Sequence, residues 1–72
     1  MACPRCDGQG VILRIRVPEL NIELYLCDEC DATWLTKEAI GVEKFVDFQT
    51  YMNTFGIKSA WSKMEILGEL TD

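Results

Sequence analysis

The chain has 72 residues, enough for one domain over residues 1–72, and a core of that size buries only about 60% of the unfolded surface. Its net charge of −5 repels phosphate backbones, which disfavours nucleic acids as partners and favours basic proteins. The sequence contains no histidine, which excludes Ser-His-Asp and Cys-His nucleophiles as well as mixed Cys/His zinc fingers. We therefore expect a non-enzymatic protein that needs an additional stabilising element.

Cysteine usage and hydropathy bear on the cellular compartment. No apolar stretch approaches the ~18 residues of a membrane span, and the first residues lack the basic and apolar regions of a signal peptide. We therefore expect a cytoplasmic protein without a membrane partner. In a reducing compartment, paired cysteines are metal ligands or redox groups more often than structural disulfides.

Three strands are predicted within residues 11–35. The segments 11–17, VILRIRV, and 22–26, IELYL, alternate between apolar and polar positions, which is the pattern of half-buried strands. The residues between them, PELN, have the composition of a turn, so the two strands form an antiparallel hairpin. Residues 32–35 predict a short third strand, and together these segments predict a three-stranded antiparallel sheet.

Two Cys-x-x-Cys pairs lie at the ends of this hairpin, with 20 residues between them: Cys3, Cys6, Cys27 and Cys30. A hairpin brings its two ends together, so four sulfurs can surround one metal ion, as in zinc tetrathiolate sites. Four thiolates leave no free coordination position, which makes such a site structural rather than catalytic. We predict one structural Zn²⁺, whose binding contributes roughly 10–16 kcal/mol and is coupled to folding.

As a whole, residues 1–35 resemble a zinc ribbon. A first Cys-x-x-Cys turn, or knuckle, over residues 3–6 is followed by the hairpin, a second knuckle over residues 27–30 and the third strand. Rubredoxins share paired Cys-x-x-Cys knuckles but typically carry glycine directly after the second cysteine. This chain has Asp7 and Asp31 there, which favours zinc over iron. Residues 3–10, CPRCDGQG, are similar to the CxxCxGxG repeat of DnaJ-type chaperone zinc modules, which need four such repeats. This chain has one, and we interpret it as a knuckle turn of a common type.

Residues 36–72 are predicted to form a helical tail that packs on the ribbon, so the expected fold is α+β. A connector over residues 36–41 precedes a helix over residues 42–55, and Gly56 stands where a C-cap glycine is expected. The helix is predicted from one apolar stripe at helical spacing, formed by Val42, Phe45, Phe48, Met52 and Phe55.

The segment 57–70 fits two alternatives. Ser62 and Glu65 have the spacing of a capping box, which predicts a short second helix, whereas Ala60, Met64 and Ile66 are compatible with strand alternation. We favour a short helical or irregular segment.

The stretch CDECDATW and the following tail with VDFQTYM resemble small bacterial immunity proteins encoded beside polymorphic or contact-dependent growth-inhibition toxins. The resemblance implies a cytoplasmic inhibitor that binds and neutralises a cognate toxin, here one with a basic surface. The alternatives are a nucleic-acid-associated zinc ribbon in transcription or translation, and a thiol/zinc redox switch. The oligomeric state is left open.

Five residues are candidates for contact with that partner, and each has a simpler alternative. The acidic side chains of the second knuckle can bind a basic surface or belong to a solvated turn. The two tryptophans can anchor an interface or pack in the core. The candidates are Asp28, Glu29, Asp31, Trp34 and Trp61.

Overall fold

The computed structural model describes residues 1–71; Asp72, the last residue of the predicted domain, lies outside them. These residues contain one five-stranded antiparallel sheet with the strand order β4-β3-β2-β1-β5, one short α-helix and two 3₁₀ turns. The strands are β1 Ile12–Val17, β2 Ile22–Cys27, β3 Ala32–Trp34, β4 Val46–Asp47 and β5 Glu65–Glu69, the helix is α1 Phe48–Asn53, and the turns are Lys37–Ala39 and Ala60–Lys63.

The hairpin forms at the position predicted from the alternation of apolar and polar residues. Strands β1 and β2 pair antiparallel with Ile12 opposite Cys27 and Val17 opposite Ile22, and the bounds differ from the predicted ones by one residue. Asn21 closes the turn in a left-handed conformation with φ 54°, which Asn tolerates better than most residues. The predicted third strand is also present as β3. The sheet nevertheless has five strands, because the tail adds β4 beside β3 and β5 beside β1.

The predicted helix over residues 42–55 is wrong in extent, since α1 spans only Phe48–Asn53. Its start is fixed by Asp47, whose carboxylate accepts a hydrogen bond from the Thr50 amide as an N-cap. Asp47 also belongs to β4, whose pairing with β3 holds the preceding backbone extended. The two ends of the predicted stripe are exposed, with Val42 at 61% and Phe55 at 48%. The apolar residues over 42–55 therefore have helical spacing, but only residues 48–53 form a helix.

Within residues 57–70 the favoured helical interpretation holds only for the 3₁₀ turn Ala60–Lys63, and the alternative, a strand, forms over Glu65–Glu69. Ser62 lies within a 3₁₀ turn and makes no cap, and Glu65–Glu69 forms strand β5 against β1. All five residues of β5 are exposed, so this strand is held by backbone pairing rather than by burial. The register shifts opposite Arg14 and Ile15, as in a β-bulge, and Gly68 takes φ 148° there.

The sheet carries a buried cluster on each face, because side chains alternate along a strand. On one face Ile15, Leu24 and Leu26 pack under Phe48 and Met52 of α1. The opposite face, at the end of the hairpin that carries the knuckles, packs a second cluster formed by Cys3, Ile12, Cys27, Ala32 and Trp34. The second cluster explains why Ile12 is buried although it shares a face with the polar Arg14.

Within residues 1–71 no helix has both the length and the apolar character needed to cross a bilayer.

Candidate metal centre

Backbone hydrogen bonds fix the two knuckles at the same end of the hairpin. The Cys3 amide donates to the Gly10 carbonyl at 2.9 Å, and Ala2 bridges to Val11, which closes the first knuckle onto the start of β1. The second knuckle follows β2 directly: its Asp28 amide donates to the Val11 carbonyl at 3.2 Å, and the Asp28 carboxylate accepts from the Val11 amide at 3.0 Å. The knuckles are therefore joined to each other as well as to their own strands.

The four predicted ligands meet at one point. All four sulfurs lie within 4.8 Å of one another, and every cysteine is free. The Cys3–Cys30 sulfurs are 3.8 Å apart and the Cys6–Cys27 sulfurs are 3.6 Å apart. A regular tetrahedron with metal–sulfur bonds of about 2.3 Å has sulfurs about 3.8 Å apart, whereas a disulfide needs sulfurs about 2.05 Å apart. The arrangement is zinc-ribbon-like, and the four cysteines fit a metal ion.

Amide groups of the knuckles point at the sulfurs. The Gly10 amide donates to the Cys6 sulfur at 3.3 Å, and the amides of Glu29 and Cys30 donate to the Cys27 sulfur at 3.4 and 3.5 Å. Such bonds favour thiolate over thiol and so favour the form that binds metal.

Burial acts against these bonds in the metal-free protein. It raises the pKa of Cys3, and it raises the pKa of Cys27 to about 12 despite two amide donors. At Cys30 burial also raises the pKa, but the Ala32 amide, the Arg5 side chain and the neighbouring thiols together lower it to about 7. Metal must therefore displace protons from the buried ligands when it binds.

Gly10 packs directly against the site. A Cβ at this position would lie 2.6 Å from the Cys27 sulfur, 2.9 Å from the Asp28 carboxylate and 2.9 Å from the Glu29 Cβ. Glycine is therefore required here by contact, and its φ lies outside the left-handed region. The left-handed conformation occurs instead at Asp7 and Asp31, both with φ 60°, at the positions that follow the second cysteine of each knuckle.

An arginine and an aromatic ring flank the centre, and sequence reasoning missed both roles. The Arg5 guanidinium carbon lies 4.3 Å from the centre of the Phe45 ring, within cation–π range. The sequence pattern places Phe45 in the helical stripe, whereas the ring packs against the cluster that contains Cys3 and Cys27. The signal that could have separated it from that stripe is Asp47, whose spacing to Thr50 marks a helix start after Phe45.

The acidic residues of the second knuckle differ in exposure and in the hydrogen bonds that they make. Glu29 is exposed, and its backbone amide, not its carboxylate, donates the hydrogen bond to the Cys27 sulfur. Asp28 is exposed too, but its carboxylate holds the Val11 amide, as described above. Asp31 is half-buried, and its carbonyl accepts from the Phe48 amide at 3.0 Å. Of the three, Glu29 has the side chain best placed to contact a partner without a structural consequence.

The two tryptophans lie in different environments. Trp34 is fully buried, and its indole N–H donates to the Gly41 carbonyl at 3.1 Å, so it belongs to the core in this structure and is not an interface anchor. Trp61 is 41% exposed and stacks edge-on against Phe48 at a centroid distance of 5.4 Å. It therefore covers the core while presenting a large apolar area to solvent.

Comparisons of the chain with protein-family models, with curated proteins and with solved structures find no match. Function is therefore inferred from the geometry and charge of the site itself.

Proposed function

We propose that this protein is a non-enzymatic interaction module whose fold is held by one structural Zn²⁺. The observation that carries the proposal is the sulfur geometry: all four sulfurs lie within 4.8 Å of one another, and two of the pairs are 3.6 and 3.8 Å apart, close to the spacing in a zinc tetrathiolate. With all four positions taken by protein, the metal has no place for a substrate or a water nucleophile. Its contribution is then to stability, which a chain of this size needs.

The choice of zinc over iron rests on residue types in the knuckles, since tetrahedral sulfur ligation suits both metals. Asp7 and Asp31 occupy the positions where rubredoxins typically carry glycine, and they take the left-handed conformation that glycine would adopt there. Elemental analysis of purified protein, together with its visible spectrum, tests this choice. One equivalent of zinc and a colourless protein are expected. An iron–thiolate spectrum would overturn the metal assignment.

The partner proposed is a basic protein, most concretely a toxin that this chain neutralises in the cytoplasm. Four thiolates and one divalent ion change the formal charge from −5 to about −7. Electrostatic attraction at this charge speeds capture of a basic partner, and rapid capture is what an inhibitor of a toxin requires. Asp7, Asp28 and Glu29 are exposed at the metal end and give this end an acidic surface.

Protection and binding assays with the toxin encoded beside the gene test this role. Co-expression should restore growth, and the purified proteins should associate at a rate that falls as salt increases. Failure both to bind and to protect would refute the inhibitor role. A salt-sensitive shift of RNA or DNA on a gel would instead support the nucleic-acid-associated alternative.

The contribution of the acidic metal end can be separated from net charge. Glu29→Lys reverses an exposed charge there without removing a structural hydrogen bond of the carboxylate. Glu19→Lys makes the same charge change at the exposed turn at the far end of the hairpin. Slower association for the first variant alone is expected. Equal association rates for the two variants would show that the acidic residues of the second knuckle belong to a solvated turn and do not contact the partner.

A further inference from the structure

We propose that Arg5 is the counter-charge of the metal-loaded centre and that the Phe45 ring holds it in this place. Arg5 lies between two ligands in the sequence, Cys3 and Cys6. Its guanidinium carbon lies 4.3 Å from the centre of the Phe45 ring. The ring packs against the buried cluster that includes the ligands Cys3 and Cys27, so the surface that carries the cation is part of the wall of the metal centre.

Arg5 is placed on the accessible side of the site. Cys3 and Cys27 are buried, whereas Cys6 and Cys30 are half-buried, so solvent approaches the sulfurs of the latter two. Arg5 is exposed and directly precedes Cys6, one of these two, in the first knuckle. A guanidinium at this position partly replaces the solvation that an exposed thiolate would otherwise take from water.

Metal binding changes the charge of the centre, and this change determines whether Arg5 strengthens or weakens the binding. One divalent ion replaces up to four thiol protons, so the centre becomes more negative by up to two charges. A fixed positive charge beside it therefore stabilises the loaded state more than the metal-free state. Arg5 should then strengthen metal binding, whereas an arginine that was merely solvated would leave it unchanged.

The first test compares Arg5→Gln with Arg14→Gln. Arg14 is exposed on the hairpin, so its replacement removes the same charge at a site outside the knuckles. Zinc affinity is measured at neutral pH and low salt by competition with a chromophoric chelator. Arg5→Gln should weaken binding by up to about fivefold, the factor that corresponds to an exposed pair of opposite charges. Arg14→Gln should bind as the unmodified protein does.

A spectroscopic readout separates a counter-charge from a purely structural role. In the Co²⁺-loaded protein, a nearby cation lowers the energy of the sulfur lone pairs, which raises the energy of the sulfur-to-metal charge-transfer band. Arg5→Gln should move this band to longer wavelength, while the d–d bands keep the pattern of tetrahedral coordination. Arg5→Lys keeps the charge and should lie between the two proteins in affinity and band position.

The role of the ring is tested by a double-mutant cycle with Phe45→Leu, which keeps an apolar side chain against the cluster. If the ring holds the guanidinium, Arg5→Gln costs less affinity in the Phe45→Leu background than in the unmodified protein. Strictly additive effects would remove Phe45 from the proposal. An Arg5→Gln protein with unchanged affinity and an unchanged charge-transfer band would overturn it altogether.

Discussion

Replacing Gly10 by alanine should weaken metal binding through a direct collision with a ligand. The new Cβ would lie 2.6 Å from the Cys27 sulfur, and a carbon and a sulfur in ordinary contact are about 1 Å farther apart. The sulfur cannot move away without leaving the metal position. The other two neighbours, at 2.9 Å, belong to the same knuckle, so the knuckle must shift as a unit.

Overpacking of this kind costs about 1–3 kcal/mol. Because metal binding is coupled to folding, this cost should appear as a five- to 150-fold loss of zinc affinity, at about 1.4 kcal/mol per tenfold. Competition titration with a chelator gives the affinity, and the Co²⁺ spectrum reports any distortion of the tetrahedron.

Gly41→Ala is the matched control, since a Cβ there meets its nearest heavy atom at 3.9 Å and φ is not left-handed. We expect it to change stability by less than about 0.5 kcal/mol. A Gly10→Ala protein with the affinity and Co²⁺ spectrum of the unmodified chain would refute the packing argument at this position.

Three further predictions concern other parts of the fold. Asp47→Ala should lower the stability by about 1 kcal/mol, because two hydrogen bonds of 3.0 Å from Thr50 are lost; thermal melting measures this, and Asp47→Ser should restore most of it. Asp7→Gly should raise the melting temperature, since φ 60° costs glycine less than aspartate, and a lower value would contradict the assigned backbone. Cys27→Ser should abolish zinc binding and the native circular dichroism spectrum; a native-like spectrum without metal would show that the fold does not depend on the site.

Local patterns were sufficient to predict the ribbon half of the molecule. Alternation over residues 11–17 and 22–26 predicts the hairpin because one face of each strand must be buried, and the observed strands agree to within one residue. The cysteine spacing then implies the meeting of four sulfurs, since a hairpin of any register that pairs these strands brings both knuckles to one end.

The tail shows where such patterns fail. Phe45 and Phe48 fit one helical stripe, yet they pack in different environments: Phe45 lies against the cluster that contains Cys3 and Cys27, whereas Phe48, the first residue of α1, belongs to the cluster on the opposite face. Ala60, Met64 and Ile66 are compatible with strand alternation, but all five residues of β5 are exposed, so no buried face marks this strand in the sequence. An edge strand held by backbone hydrogen bonds does not need an alternating sequence, and its position depends on the free edge of β1.

The sequence by itself thus determined the hairpin, the two knuckles and the set of four ligands, because strand alternation and ligand spacing act over short stretches of chain. The tertiary structure decided the five-strand order, the short length of α1, and the positions of Gly10, Arg5 and Phe45 around the sulfurs. These features depend on which surfaces and edges meet after the chain has folded. Contacts between residues 40 apart, such as Arg5 and Phe45, follow from that assembly and leave no local pattern to read.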